Sequence, residues 1–133
     1  MQFVGIAIMT SLQRQGSRFD DIRKGYWRQH ETPAEHEGRV DAAEATAGWY
    51  FDQSTTAQKA AYLRALADLT GLHTARAERA REAAKAVWFA STVGARALFE
   101  TTFEDLMRDG EVSEETSALW DALPAHVELA EAA

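Results

Sequence analysis

Histidines and carboxylates crowd together at one place in the chain, where His30, Glu31, Glu35 and His36 have the residue types of a metal site. Pro33 opens a new helix between the two pairs. Neither the His-Glu-x-x-His of a zinc hydrolase helix nor the Glu-x-x-His of a di-iron bundle occurs. His73 falls at a helix junction and His126 follows Pro124, both common places for an exposed histidine. No metal and no cofactor is expected. Nucleophilic chemistry has less to work with: there is no cysteine, no G-x-S-x-G and no phosphate-binding loop. Carboxylates are plentiful, but paired acid–base catalysis needs two of them at a fixed separation in a cleft, which spacing along one chain does not show. Trp27, Trp49, Trp88 and Trp120 fall on four different predicted helices. Aromatics so spaced belong to a core, the alternative being a ligand cavity between helices.

The one local pattern with a binding chemistry of its own is Leu66 to Arg81, LADLTGLHTARAERAR. It resembles a helix-turn-helix unit. Ala67 stands at the small position of the first helix, Gly71 at the turn, Leu72 at the apolar residue after it, and Ala77 at the inward position of the second helix. The resemblance implies that the second helix enters the major groove by its N-terminal residues. His73, Thr74, Arg76 and Arg79 would then face DNA, with Lys85 nearer the phosphates. It covers about sixteen of 133 residues.

The elements that must position these residues read as helices throughout. Ser17 and Asp20 have capping-box spacing, and Phe19, Ile22, Tyr26 and Trp27 follow on one face of a first helix that should end near Glu31. Thr32, Pro33 and Glu35 start a second helix, with Val40, Ala43, Ala47, Tyr50 and Phe51 buried. Asp52 to Thr55 reads as a break, and Thr55 with Gln58 as the start of a third helix that carries Ala61, Tyr62, Leu66 and Leu69. Gly71 would close it in the left-handed conformation, with Leu72 folded back on the last turn. Thr74 caps the longest pattern in the chain, which runs to Asp109 and Gly110. Ser91 to Gly94 is the place in it where a kink or break would fall. Ser113, Glu114 and Glu115 begin a fifth helix with Leu119, Trp120 and Leu123.

The long pattern organises the rest. Ala77, Ala80, Ala84, Val87, Trp88, Ser91, Ala95, Leu98, Phe99, Thr102 and Leu106 form one stripe at 3.6-residue spacing, while Phe89, Val93, Phe103 and Met107 lie roughly opposite. Its second half is thus apolar on two faces, as in a helix buried between neighbours or by a second subunit. The expectation is an all-α, single-domain bundle of about five helices, spanning residues 1–133 and organised around the helix from Thr74 to Asp109. Residues 1–16 form an N-terminal arm and residues 125–133 a frayed tail.

Composition sets the outer limits. A hydrophobic share of 46% and a charged share of 26% belong to a globular chain able to bury a core. The net charge of -7 is unevenly placed: residues 54–99 carry seven basic against three acidic side chains, and residues 100–133 one against ten. That acidic end is a solvated face or a docking segment for a basic surface. The apolar N-terminus is too short to span a bilayer and lacks a basic leader. The sequence reads as a small, soluble, cytoplasmic protein without catalytic activity, an interaction or regulatory protein with a protein partner and no membrane. It would be a homodimer through the long helix, with Phe89, Val93, Phe103 and Met107 in the interface. The alternative is a DNA-binding regulator using Leu66 to Lys85, and a third reading is a small-molecule binder or enzyme.

Overall fold

A computed structural model of the protein describes residues 17–123. The expected N-terminal arm and C-terminal tail lie outside these residues. Four helices follow one another, α1 (Ser17–Lys24), α2 (Pro33–Asp68), α3 (Ala75–Asp109) and α4 (Glu114–Ala122). All regular structure among the described residues is helical.

The count is four rather than five because α2 runs unbroken through Asp52 to Thr55. Its start is where Thr32, Pro33 and Glu35 put it. The Thr32 side chain accepts from the Glu35 N–H at 3.1 Å, and the Glu35 carboxylate accepts from the Thr32 N–H at 2.8 Å. The second capping signal does not act as a cap. Thr55 turns its hydroxyl back to the Phe51 carbonyl at 2.9 Å, and Gln58 Nε2 donates to Ser54 Oγ at 2.8 Å. Both bonds fit inside a continuous helix, and Phe51 and Ala61 are buried on either side of the supposed break.

The first helix, by contrast, stops early. Gly25 donates its N–H to the carbonyls of Asp21 and Ile22, and α1 ends at Lys24 instead of near Glu31. Tyr26 and His30 then take positive φ values of 58° and 67°, conformations that L-residues adopt only when their surroundings compel them. Arg39 holds this loop from α2: Nη2 donates to the Tyr26 carbonyl at 2.6 Å and Nε donates to Glu31 Oε2 at 2.6 Å.

Thr74 caps α3 by accepting from the Ala77 N–H at 3.1 Å, and Gly110 ends it at φ 80°. The helix continues through Ser91 to Gly94. Gly94 makes room there rather than a bend, since a Cβ on it would lie 2.9 Å from Leu123 Cδ2 at the end of α4.

The two long helices form an antiparallel hairpin with two kinds of interior. Near the turn, small residues meet: Leu69 packs with Ala77 and Ala80, and Ala61, Ala65 and Ala84 are buried on the same two helices. Tyr62 stacks on Trp88 at 4.6 Å beside them. At the other end α1 and α4 join, and Phe19, Phe51, Phe99, Phe103 and Trp120 make a thick aromatic core. Phe19 lies 4.7 Å from Phe103 and 5.8 Å from Phe99, ring centre to ring centre.

This division corrects the expected interface set. Phe103 and Met107 are buried to 0% and 1% exposure within the monomer. Buried positions at Ala95, Phe99, Phe103 and Met107 recur every four residues, so the covered sector drifts by about 40° per step around the helix. The elements α1 and α4 widen it further. From Ala95 onward both apolar faces of α3 are therefore covered by the chain itself, and of the four expected interface residues Phe89 and Val93 stay in the open.

Candidate functional site: the outer face of the long helix

The polar residues that drew attention in the sequence are joined in ties between elements. Glu31, His36 and Arg39 form one of them. Arg39 donates to both Glu31 oxygens and, through Nη1, to the Met107 carbonyl at 3.0 Å, so it fastens the 25–32 loop to the ends of α2 and α3. The hydrogen bond from Arg39 outweighs burial and holds the Glu31 carboxyl at about 2, against an ordinary 4.5. His36 Nε2 lies 3.0 Å from the Arg23 carbonyl and Nδ1 3.4 Å from Glu31 Oε1, under the ring of Trp27 at 3.9 Å. Glu35 is held in the Thr32 capping box, which separates it from this group. Among the described residues no three metal-ligating side chains converge.

A second tie surrounds Asp105, buried at the end of α3. Its Oδ2 accepts from Thr116 Oγ1 at 2.6 Å, Ser113 Oγ at 3.1 Å and the Ser113 N–H at 3.2 Å, while Oδ1 accepts from Arg108. Burial pushes its carboxyl up, but these donors and the Arg108 charge bring it below the usual range. It anchors the N-terminus of α4, where a negative charge is favoured. A third tie joins Arg18 and Tyr26 to Glu104. Tyr26 donates to Glu104 Oε2 at 2.6 Å, and this bond raises the phenol's pKa. Sequence reading missed all three, although an aspartate on the otherwise uncharged line Leu98, Thr102, Asp105 was a visible sign.

The residues of the helix-turn-helix resemblance are placed by the hairpin. Its two helices run alongside each other for most of their length, Tyr62 on Trp88 and Phe51 on Phe99, whereas the helices of such a unit cross steeply. Ala77 points inward as the resemblance requires. Ala67 is exposed and Leu72 is 42% exposed, against its expected fold-back on the last turn. Gly71 has the left-handed φ of 82°. The turn is closed by Arg81, whose Nη2 donates to the Leu69 and Leu72 carbonyls. His73, Thr74, Arg76, Arg79 and Lys85 are all exposed, but they do not form one surface. Thr74 acts as a cap, and Arg76 and Lys85, nine residues apart, project about 180° from each other.

Trp49 and Trp120 share a cavity. This is a groove of about 390 Å³ between α2 and α4 that Tyr50, Gln58 and Leu123 also line. Trp120 donates to Thr102 Oγ1 at 2.8 Å. Trp27 covers His36 and Trp88 covers Tyr62, both away from this groove.

A larger and more apolar opening lies on the outer side of α3. Trp88, Phe89 and Val93 line a groove of about 490 Å³ whose rim carries Glu82, Lys85 and Arg96. Phe89 is 72% exposed and Val93 49%. The face points away from α2 because the buried residues Ala84 and Ser91 lie about 140° and 200° around the helix from Phe89. Among the described residues neither Glu82, Lys85 nor Arg96 makes an ion pair, and Arg96 Nε is buried without a hydrogen-bond partner. Sequence reading named Phe89, Val93 and Lys85 but missed Glu82 and Arg96, whose spacing of seven residues on either side of Phe89 was there to be read. The chain matches no family model, and neither a curated protein nor a solved structure matches it.

Proposed function

We propose that the protein is a non-catalytic interaction module that self-associates through the outer face of α3 and acts by that association. The observation that carries this reading is the exposure of Phe89, at 72%, beside Val93 on a face that no other described helix covers. A lone exposed apolar residue means little. Here an aromatic ring, a β-branched residue and the edge of Trp88 adjoin in one groove, which supports an interaction surface. The polar clusters favour the same reading, because Glu31, His36, Asp105 and Glu104 are each engaged in holding loops or helix ends together.

The reading is tested by the solution mass of the wild type beside Phe89→Asp. The variant should remain folded, since position 89 contributes nothing to the core, and should lose self-association at concentrations where the wild type shows it. Equal association of the two proteins would sink the assignment to this face.

A further inference from the structure

Resting on that reading, we propose that two copies meet with their α3 helices antiparallel, about a two-fold axis beside Phe89, so that Glu82 of each copy pairs with Arg96 of the other copy. Glu82 and Arg96 stand seven residues before and after Phe89. Seven residues turn the helix by about 700°, so both side chains leave it within about 20° of the Phe89 direction, each about 10.5 Å along the axis. The line Glu82, Phe89, Arg96 is flanked by Lys85 and Ala86 on one side of the centre and by Thr92 and Val93 on the other. This is the alternating three- and four-residue spacing of a helix–helix seam.

Charge then decides the direction. A parallel pair places Glu82 against Glu82, Lys85 against Lys85 and Arg96 against Arg96, three like-charge contacts at the interface. The antiparallel pair centred on Phe89 replaces them with Glu82 against Arg96, twice over, and sets each Lys85 stem against Val93 of the other copy. An isologous contact of this kind closes on itself and ends at two copies. It also gives the Arg96 guanidinium, whose buried Nε has no hydrogen-bond partner among the described residues, a carboxylate to engage. The seam from Glu82 to Arg96 is about 21 Å long, short for a stable interface, so the dimer is a dissociable one.

Sedimentation of five samples tests the register: wild type, Glu82→Arg, Arg96→Glu, the double variant, and an equimolar mixture of the two single variants. Each single variant sets like charges at both ends of the seam and should weaken self-association by about tenfold or more. The double variant restores opposite charges and should recover. The mixture should recover too, because one chain then carries arginine at both ends of the seam and the other carries glutamate at both, so two proteins that fail alone form a heterodimer. If the single variants associate as the wild type does while Phe89→Asp does not, the antiparallel register is overturned and the interface stands. If Phe89→Asp associates as well as the wild type, or the wild type stays monomeric at every concentration, the interface reading fails with it.

Discussion

Arg39 shows how much of this molecule a single side chain can organise. Its guanidinium satisfies the Tyr26 carbonyl, the Met107 carbonyl and the Glu31 carboxylate at once, and so joins a loop with two positive-φ residues to the ends of two long helices. A pH dependence follows from its effect on Glu31. The carboxyl has a depressed value of about 2 in the folded protein, so the unfolded chain takes up the proton first as the pH falls. The stabilisation is complete above the ordinary value of 4.5 and is lost progressively down to about 2. Urea unfolding followed from about pH 6 to about pH 2 should show this loss in the wild type, and Glu31→Gln should flatten that part of the profile; an unchanged profile would contradict the tie. At the turn, Arg76 and Arg79 should be neutral for nucleic acid. Wild type and the Arg76→Ala, Arg79→Ala double variant are expected to elute together from immobilised duplex DNA at moderate salt, and a salt-dependent difference between them would restore the groove-binding reading.

At the scale of the elements, α2 and α3 are one hairpin with unequal ends. The turn end is held by alanines around Leu69, which bury little apolar area, and the opposite end by five aromatic residues shared among four helices. Backbone amides of residues 56–68 and 75–88 should therefore exchange with solvent sooner than those of 40–51 and 95–107, since local opening follows local burial; uniform protection along both helices would contradict the division. Phe99→Ala should destabilise the fold by about 3–5 kcal/mol through the cavity it leaves. Ala84→Leu should destabilise it by roughly 1–3 kcal/mol by forcing the close-packed helices apart, both measured by denaturant unfolding. Much of this was legible in the sequence. Thr32 with Pro33 and Glu35, Thr74, Ser113 and Gly110 mark true helix ends, because a cap is a local hydrogen-bond arrangement that sequence spacing encodes. Thr55 with Gln58 has the same spacing and marks nothing, since the same side chains bond within a helix when residues on both sides are buried by a neighbour. The early end of α1 was hidden for a related reason: the group that captures the Tyr26 carbonyl comes from another helix.

For the whole molecule, the two-faced helix that suggested a dimer divides into two cases. Phe103 and Met107 are buried in the core that α1, α2 and α4 share with α3, which no periodicity within α3 could announce. Phe89 and Val93 stay open. The same geometry explains why this face points outward and why its charges find no ion-pair partner among the described residues: α2 occupies the opposite side of α3 along its length. No helix among the described residues is long and apolar enough to cross a membrane. The most direct test is sedimentation equilibrium of the wild-type protein, from dilute solution to the highest concentration at which it stays dissolved. The expected result is an apparent mass that rises from 14.7 kDa towards twice that value, reversibly on dilution. A mass that stays at the monomer value over the whole range would contradict self-association through α3.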